Sequence, residues 1–174
     1  MLAGRLPAGA RATAVWEGES PSRRPAIHSG VRVLILYESR RGFTLTVARA
    51  VRDGLRVLGV EATTAPLRGV DAGTLAAADA LVVGTWVKGL IVAGVGPAPG
   101  TQEGVAALPD LDGMPAVVFC TCEVAPRGTL DQLSGWLEAQ GADVRGRAVF
   151  RRKKSLAIAP DVAAGILSVF GPVA

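Results

Sequence analysis

From residue 31 onward the chain alternates between short, nearly all-apolar runs and stretches whose apolar positions recur every three or four residues. Val31 to Tyr37 is the first such run, with the continuous hydrophobicity of a parallel strand covered on both faces. After Thr44, the spacing of Ala48, Val51, Leu55 and Leu58 predicts a helix with one buried stripe and with Arg49, Arg52, Asp53 and Arg56 turned outward. Gly59 is placed to end that helix. Further strands are expected at Val60 to Ala65, Ala80 to Gly84, Ala116 to Cys120 and Val144 to Phe150. Helices are expected between and after them, at Thr74 to Ala78, Thr101 to Leu108, Thr129 to Gln140 and Asp161 to Phe170. Strands separated by helices imply an α/β domain built on a parallel sheet with right-handed crossovers.

Leu81 to Ala98 is the most apolar window, but it contains Lys88, four glycines and Pro97 and falls short of the roughly 20 apolar residues of a membrane-spanning helix. It reads as a buried strand followed by a loop. Residues 1 to 30 follow neither period and are rich in Ala, Gly, Pro, Ser and Arg, so this leader is expected to stay off the core. Arg5, Pro7 and Arg11 interrupt any signal-peptide core, and Glu17 and Glu19 argue against a transit peptide. The change at Val31 suggests a disordered leader or a mis-assigned start, with translation beginning at Val31. An intact mass lacking residues 1 to 30 is the result expected of that second explanation.

The chain has 174 residues, 49% of them apolar, which suits one domain over 31 to 174. Cys120 and Cys122 are separated by one residue, too close along a strand to bridge without strain. A reducing cytoplasm is therefore the expected compartment. With His28 as the sole histidine, two cysteines make an incomplete metal set. The formal charge is +4; without Arg5, Arg11, Arg23, Arg24, Glu17 and Glu19 of the leader, fifteen basic residues stand against thirteen acidic ones. The run from Arg151 to Lys154 reads as a solvated turn, and no nucleic-acid contact is expected.

Candidate chemistry concentrates in Ile35 to Val51. A helix begun directly after a strand leaves its first N–H groups aimed at one point, and its dipole makes that point attractive to an anion. Ser39 and Thr44 supply hydroxyls there, and Gly42 allows close backbone approach. Charge-assisted hydrogen bonds of this kind contribute roughly 1.5 to 3 kcal/mol each, so four or five would hold a phosphomonoester firmly.

The same stretch resembles the flavodoxin phosphate loop. In that pattern an aliphatic strand ending in Phe or Tyr is followed by Ser or Thr, two residues, a small residue, one residue, Thr, and a helix with Ala. Ile35, Leu36, Tyr37, Ser39, Gly42, Thr44, Ala48 and Val51 fall at those positions. The resemblance implies a flavodoxin-like doubly wound five-stranded parallel sheet of order 2-1-3-4-5, helices on both faces, with FMN beyond the carboxyl ends of strands one and three. By the same resemblance the phosphate lies against Ser39, Arg40, Arg41, Gly42, Phe43 and Thr44. The ring lies between Thr85, Trp86, Val87, Lys88 and Gly89 on one side and Thr121, Cys122 and Glu123 on the other. Trp86 is the expected stacking residue, and Gly89 occupies the region where the family turns a peptide toward flavin N5.

Two features depart from that family. The loop Thr121 to Gly128 holds no Tyr or Trp, leaving the second ring face open to a partner or substrate. The chain is basic where flavodoxins are acidic, and Lys88 with Arg40 and Arg41 is expected to favour the anionic reduced flavin and raise its potential. The leading expectation is an FMN-binding electron-transfer protein working with a redox partner protein. A second is an FMN-dependent reductase of quinone-like substrates or a protoporphyrinogen-oxidase-like enzyme. A third is a cofactor-free interaction domain that keeps the fold. A dinucleotide site is disfavoured because no GxGxxG follows the first strand, and Gly94, Gly96 and Gly100 are expected in a loop that opens no helix.

Overall fold

In the computed structural model, which describes residues 16–17, 30–90, 93–123, 125–152 and 159–170, the apolar runs pair into one sheet. Its strands are β1 (Trp16–Glu17), β2 (Arg32–Tyr37), β3 (Glu61–Pro66), β4 (Ala80–Leu90), β5 (Ala93–Pro97), β6 (Pro115–Cys122) and β7 (Asp143–Arg151). The helices are α1 (Phe43–Val57), α2 (Ala72–Ala76), α3 (Thr101–Ala106), α4 (Thr129–Ala139) and α5 (Ala159–Phe170). Spatially the order is β1-β7-β6-β4-β2-β3, with β5 attached to β4. The pairs β2 with β3, β2 with β4, β4 with β6 and β6 with β7 are all parallel. Counting the parallel strands alone gives the expected order 2-1-3-4-5.

Both faces of the sheet are buried, which is why these strands are continuously apolar. Val33, Ile35, Val82, Val117, Phe119 and Phe150 point to one side and pack on Val47, Val51 and Leu55 of α1 and Val162, Ile166 and Phe170 of α5. Leu34, Leu36, Leu81, Val83, Val118 and Cys120 alternate to the other side, against Leu75, Val105, Leu133 and Leu137. Gly59 follows α1 in the left-handed region, φ 84°, and its N–H bonds Arg56 O at 3.0 Å, the expected stop. Asp71 moves the start of α2 ahead of the expected Thr74, because its carboxylate accepts the Thr74 N–H at 2.7 Å.

The region after Gly84 differs from expectation. Thr85 to Gly100 is not a loop but mostly a hairpin: β4 runs on to Leu90, and β5 returns antiparallel with Val87 opposite Pro97. Thr85 fastens the return, its Oγ1 accepting the Ala98 N–H at 3.1 Å and lying 3.0 Å from Thr101 Oγ1. Pro97 is tolerated because, among the described residues, β5 has no strand beside it other than β4. Gly89 has φ 99°, and a Cβ there would come within 2.6 Å of Gly94 O, so the strands approach too closely for any side chain. Gly100, expected within a loop that opens no helix, directly precedes α3 with φ 84°. Of the leader, Trp16–Glu17 pairs antiparallel with Ala148 and Arg147 at the sheet edge, and residues 1–15 and 18–29 lie outside the described residues.

Gly84 sits between Tyr37 and Phe119 in the sheet, and a Cβ on it would fall 1.9 Å from the tip of the Phe119 ring. That ring meets Phe150 edge to face at 5.5 Å, so it has little room to move. Gly84→Ala is expected to destabilise the protein by about 1 to 3 kcal/mol in chemical denaturation. Adding Phe119→Leu should recover part of the loss; a Gly84→Ala protein as stable as the parent would contradict this packing.

Candidate functional site

A parallel sheet brings its strand carboxyl ends to one edge, so the segments after β2, β4 and β6 converge there. The turn after β2 is held at its base by the Glu38 N–H bonding Gly84 O at 2.8 Å and by the Glu38 carboxylate pairing with Arg68. Gly42, at φ 81°, turns the chain into α1. The Thr44 side chain is buried and shares a 2.9 Å hydrogen bond with Thr121 Oγ1 at the end of β6. This bond fixes the first turn of α1 over the edge of the sheet. It leaves hydroxyl capacity on both threonines.

The N-terminus of α1 is electrostatically unusual. Gly42 offers no side-chain cap, and the first turn carries no acidic residue. Among the described residues, the side-chain oxygen that accepts from its N–H groups is Ser39 Oγ, a long 3.4 Å from the Leu45 nitrogen. Asp71 caps α2, while Glu103, Asp131 and Asp161 stand in the first turns of α3, α4 and α5. Among the described helices, α1 alone has no carboxylate at its positive end.

That end opens into a cavity of about 610 Å³. Ser39, Arg40, Arg41, Phe43 and Thr44 line one part of it, Trp86, Val87 and Gly89 another, and Thr121, Cys122 and Glu123 a third. Most of the residues expected from sequence thus come together. Three do not line it. Gly42 shapes the turn from outside; Thr85 is buried beneath, bonded to Thr101; Lys88 is exposed, on the strand position between the two lining residues Val87 and Gly89. Lys88 therefore lies beside the cavity and not on its wall, and the basic lining comes from arginines.

Four further residues line the cavity: Val95, Ala125, Arg127 and Arg152. Val95 enters because β5 folds back beside β4, and recognising the hairpin would have found it. Arg152 follows directly on β7, whose Arg151 pairs with Cys122, and it reads in sequence as part of a solvated basic turn. Its guanidinium bonds Glu123 at 2.7 Å and lies 5.8 Å from the Phe43 ring centre. Arg40 similarly lies 6.0 Å over Trp86. Glu123, the one acidic residue of the lining, is thus neutralised by Arg152.

Cys120 and Cys122 point to the same side of β6 and are both free thiols. The interaction between the two thiols pushes the buried Cys120 up and Cys122 down; burial adds to the first effect and opposes the second, which the Arg151 charge assists. Among the described residues no cluster of His, Cys, Asp and Glu suits a metal, and no helix is long and apolar enough to cross a membrane.

No protein-family model matches the sequence, and neither does any curated protein. Solved structures do resemble it. A cysteine-to-serine mutant of the flavodoxin from Pseudomonas aeruginosa superposes with a TM-score of 0.63 at 21% identity, covering 81% of this chain and 100% of that one. Oxidised flavodoxin 2 from Bacillus cereus gives 0.61 at 18%, covering 79% and 99%. A flavodoxin, WrbA-like protein from Agrobacterium tumefaciens gives 0.60 at 16%, covering 80% and 95%. The chain has the flavodoxin-like fold.

Because thiolate is the reacting form, iodoacetamide is expected to label Cys122, at the cavity wall, and to spare Cys120 until the protein unfolds. With Cys122 shifted down, labelling should set in at lower pH than for an ordinary thiol. Peptide mass spectrometry across a pH series measures both; equal labelling of the two cysteines would contradict the assignment.

Proposed function

We propose that this chain binds FMN in the cavity at the carboxyl edge of the sheet and passes electrons to and from a redox partner protein. The observation that carries the reading is the α1 N-terminus, which alone among the described helices lacks a built-in carboxylate and opens directly into the cavity. The residues present fit the group. A volume of about 610 Å³ lies within the roughly 300 to 1,000 Å³ usual for cofactor-sized ligands. The free N–H groups of α1, the hydroxyls of Ser39 and Thr44, and Arg41 suit a phosphate dianion, whereas Trp86, Val87 and Val95 offer the flat and apolar surface that an isoalloxazine ring needs.

Bound FMN would supply one- and two-electron transfer. The chain's own part is to hold and to orient. Ser39, Thr44 and the α1 backbone would fix the phosphate end. Arg40 braces Trp86 from one side, and Arg152 holds Glu123 so that its carboxylate does not oppose the phosphate. The two free thiols accord with a cytoplasmic setting.

One observation favours a second reading, an FMN-dependent reductase of quinone-like substrates. The hairpin adds Val87 and Val95 as an apolar wall, while the loop after β6 brings Ala125 and no aromatic ring. A flat acceptor would find space between them. Turnover of NAD(P)H with a soluble quinone separates enzyme from carrier.

The purified protein is expected to be yellow, or to bind added FMN with quenching of flavin fluorescence. Ser39→Ala should weaken binding about tenfold, the loss of one charge-assisted hydrogen bond. FMN should also protect Cys122 from iodoacetamide. A colourless, folded protein that ignores FMN and whose Cys122 labelling is unaffected by it would instead point to the cofactor-free interaction domain.

A further inference from the structure

The arginines around the cavity are not balanced. Away from it, Arg32, Arg52, Arg68, Arg145 and Arg147 are each paired with a carboxylate, on Asp79, Asp53, Glu38, Asp143 and Asp131 respectively, whereas Arg56 donates to the Ala62 carbonyl and Arg49 has no ion pair among the described residues. At the cavity one arginine of four has a carboxylate partner. Arg152 consumes Glu123, Arg40 lies over an aromatic ring, and Arg41 and Arg127 have no ion pair among the described residues. All four are exposed, and they come from three separate segments, after β2, after β6 and after β7. The excess of positive charge therefore surrounds an opening; it does not sit in one loop.

Arg127 carries the argument furthest. It holds a left-handed backbone, φ 27°, which costs conformational energy for a residue with a side chain. The neighbouring Gly128 is at φ 71°, and the Thr129 N–H closes the turn onto Pro126 O at 2.9 Å. A glycine or asparagine would adopt that conformation more easily, yet the position holds a long cation facing the cavity. The α1 end already has N–H groups, hydroxyls and two arginines for a phosphate. Arg127, on a different loop, has no such use.

A cavity of about 610 Å³ takes one cofactor-sized ligand, so the molecule that exchanges electrons with it must approach from outside, at the mouth. We propose that this mouth docks an electron-exchange protein whose contact surface is acidic, with Arg41 and Arg127 steering it toward the ligand edge left open by the loop after β6. The proposal rests on the FMN reading. Complementary charge of this kind acts mainly on the rate of encounter and is lost as salt screens it.

The sign of the field at the mouth can be measured without knowing the partner. The FMN-loaded protein is reduced with dithionite under anaerobic conditions and reoxidised in a stopped-flow instrument by ferricyanide, an anion, or hexaammineruthenium(III), a cation. Each oxidant takes one electron, so two equivalents reoxidise the protein and the flavin protons pass to solvent. The ferricyanide rate is expected to fall about tenfold or more from low to high ionic strength, and the ruthenium rate to rise. Arg127→Glu should slow ferricyanide several-fold at low salt and speed the ruthenium complex. Rates independent of salt with both oxidants, as a neutral quinone-type acceptor would favour, overturn the proposal. So does an Arg127→Glu protein with full flavin content and unchanged rates. A preparation that takes up no FMN, visible in its spectrum before any oxidant is added, overturns the underlying reading as well.

Discussion

The uncompensated N-terminus of α1 is the constraint on which the site depends. Four other described helices begin with a carboxylate in or just before the first turn, and each thereby satisfies its own dipole. The first turn of α1 has glycine, phenylalanine and threonine instead. Left to itself this would be a defect, with donors aimed at one point and nothing to accept from them. The Thr44 to Thr121 bond and the Glu38 tether keep the defect rigid, so that the N–H groups remain aimed at the cavity and are not lost to fraying. An anion from outside is the natural completion of such a structure.

The parallel register determines which segments flank that end of α1. Because Tyr37, Gly84 and Phe119 are level across β2, β4 and β6, the segments beyond them emerge side by side. Gly84 is needed for this alignment, since the Phe119 ring occupies the space of its missing side chain. Beyond the register point the strands diverge in fate. β2 turns at once, β6 stops at Cys122, and β4 continues and folds back, which gives the cavity a wall of backbone and valine where a loop was expected.

Much of this was legible in the sequence, for a physical reason. Continuous apolar runs and a helical stripe follow directly from burial on both faces of a sheet, so the five parallel strands and α1 could be placed to within a few residues, except for the extension of β4 to Leu90. Ser39, Gly42 and Thr44 were legible because strand, turn and helix lie in one short stretch. The hairpin was not, because Gly89, Gly94, Gly96 and Pro97 are residues that normally break strands, and only the tertiary fastening through Thr85, Ala98 and Thr101 makes them one. Arg127 and Arg152 were missed for a different reason. Their place depends on where β6 and β7 end relative to each other, and no local pattern records that.

Net charge was the least useful number, and the structure shows why. A formal +2 for residues 31 to 174 suggests a weakly basic surface. Charges separated by more than a Debye length, about 8 Å at physiological salt, hardly interact, so what a ligand or partner experiences is the local sum. Arg32, Arg52, Arg68, Arg145 and Arg147 are each neutralised by an adjacent carboxylate and drop out of that sum. Among the charges that remain, four arginines and one glutamate line the same opening as the bare end of α1. Helix dipole and side-chain charge then have the same sign at the same edge of the sheet. A fold that places anion-seeking groups at its switch point has here been given a rim that extends their field outward to whatever approaches.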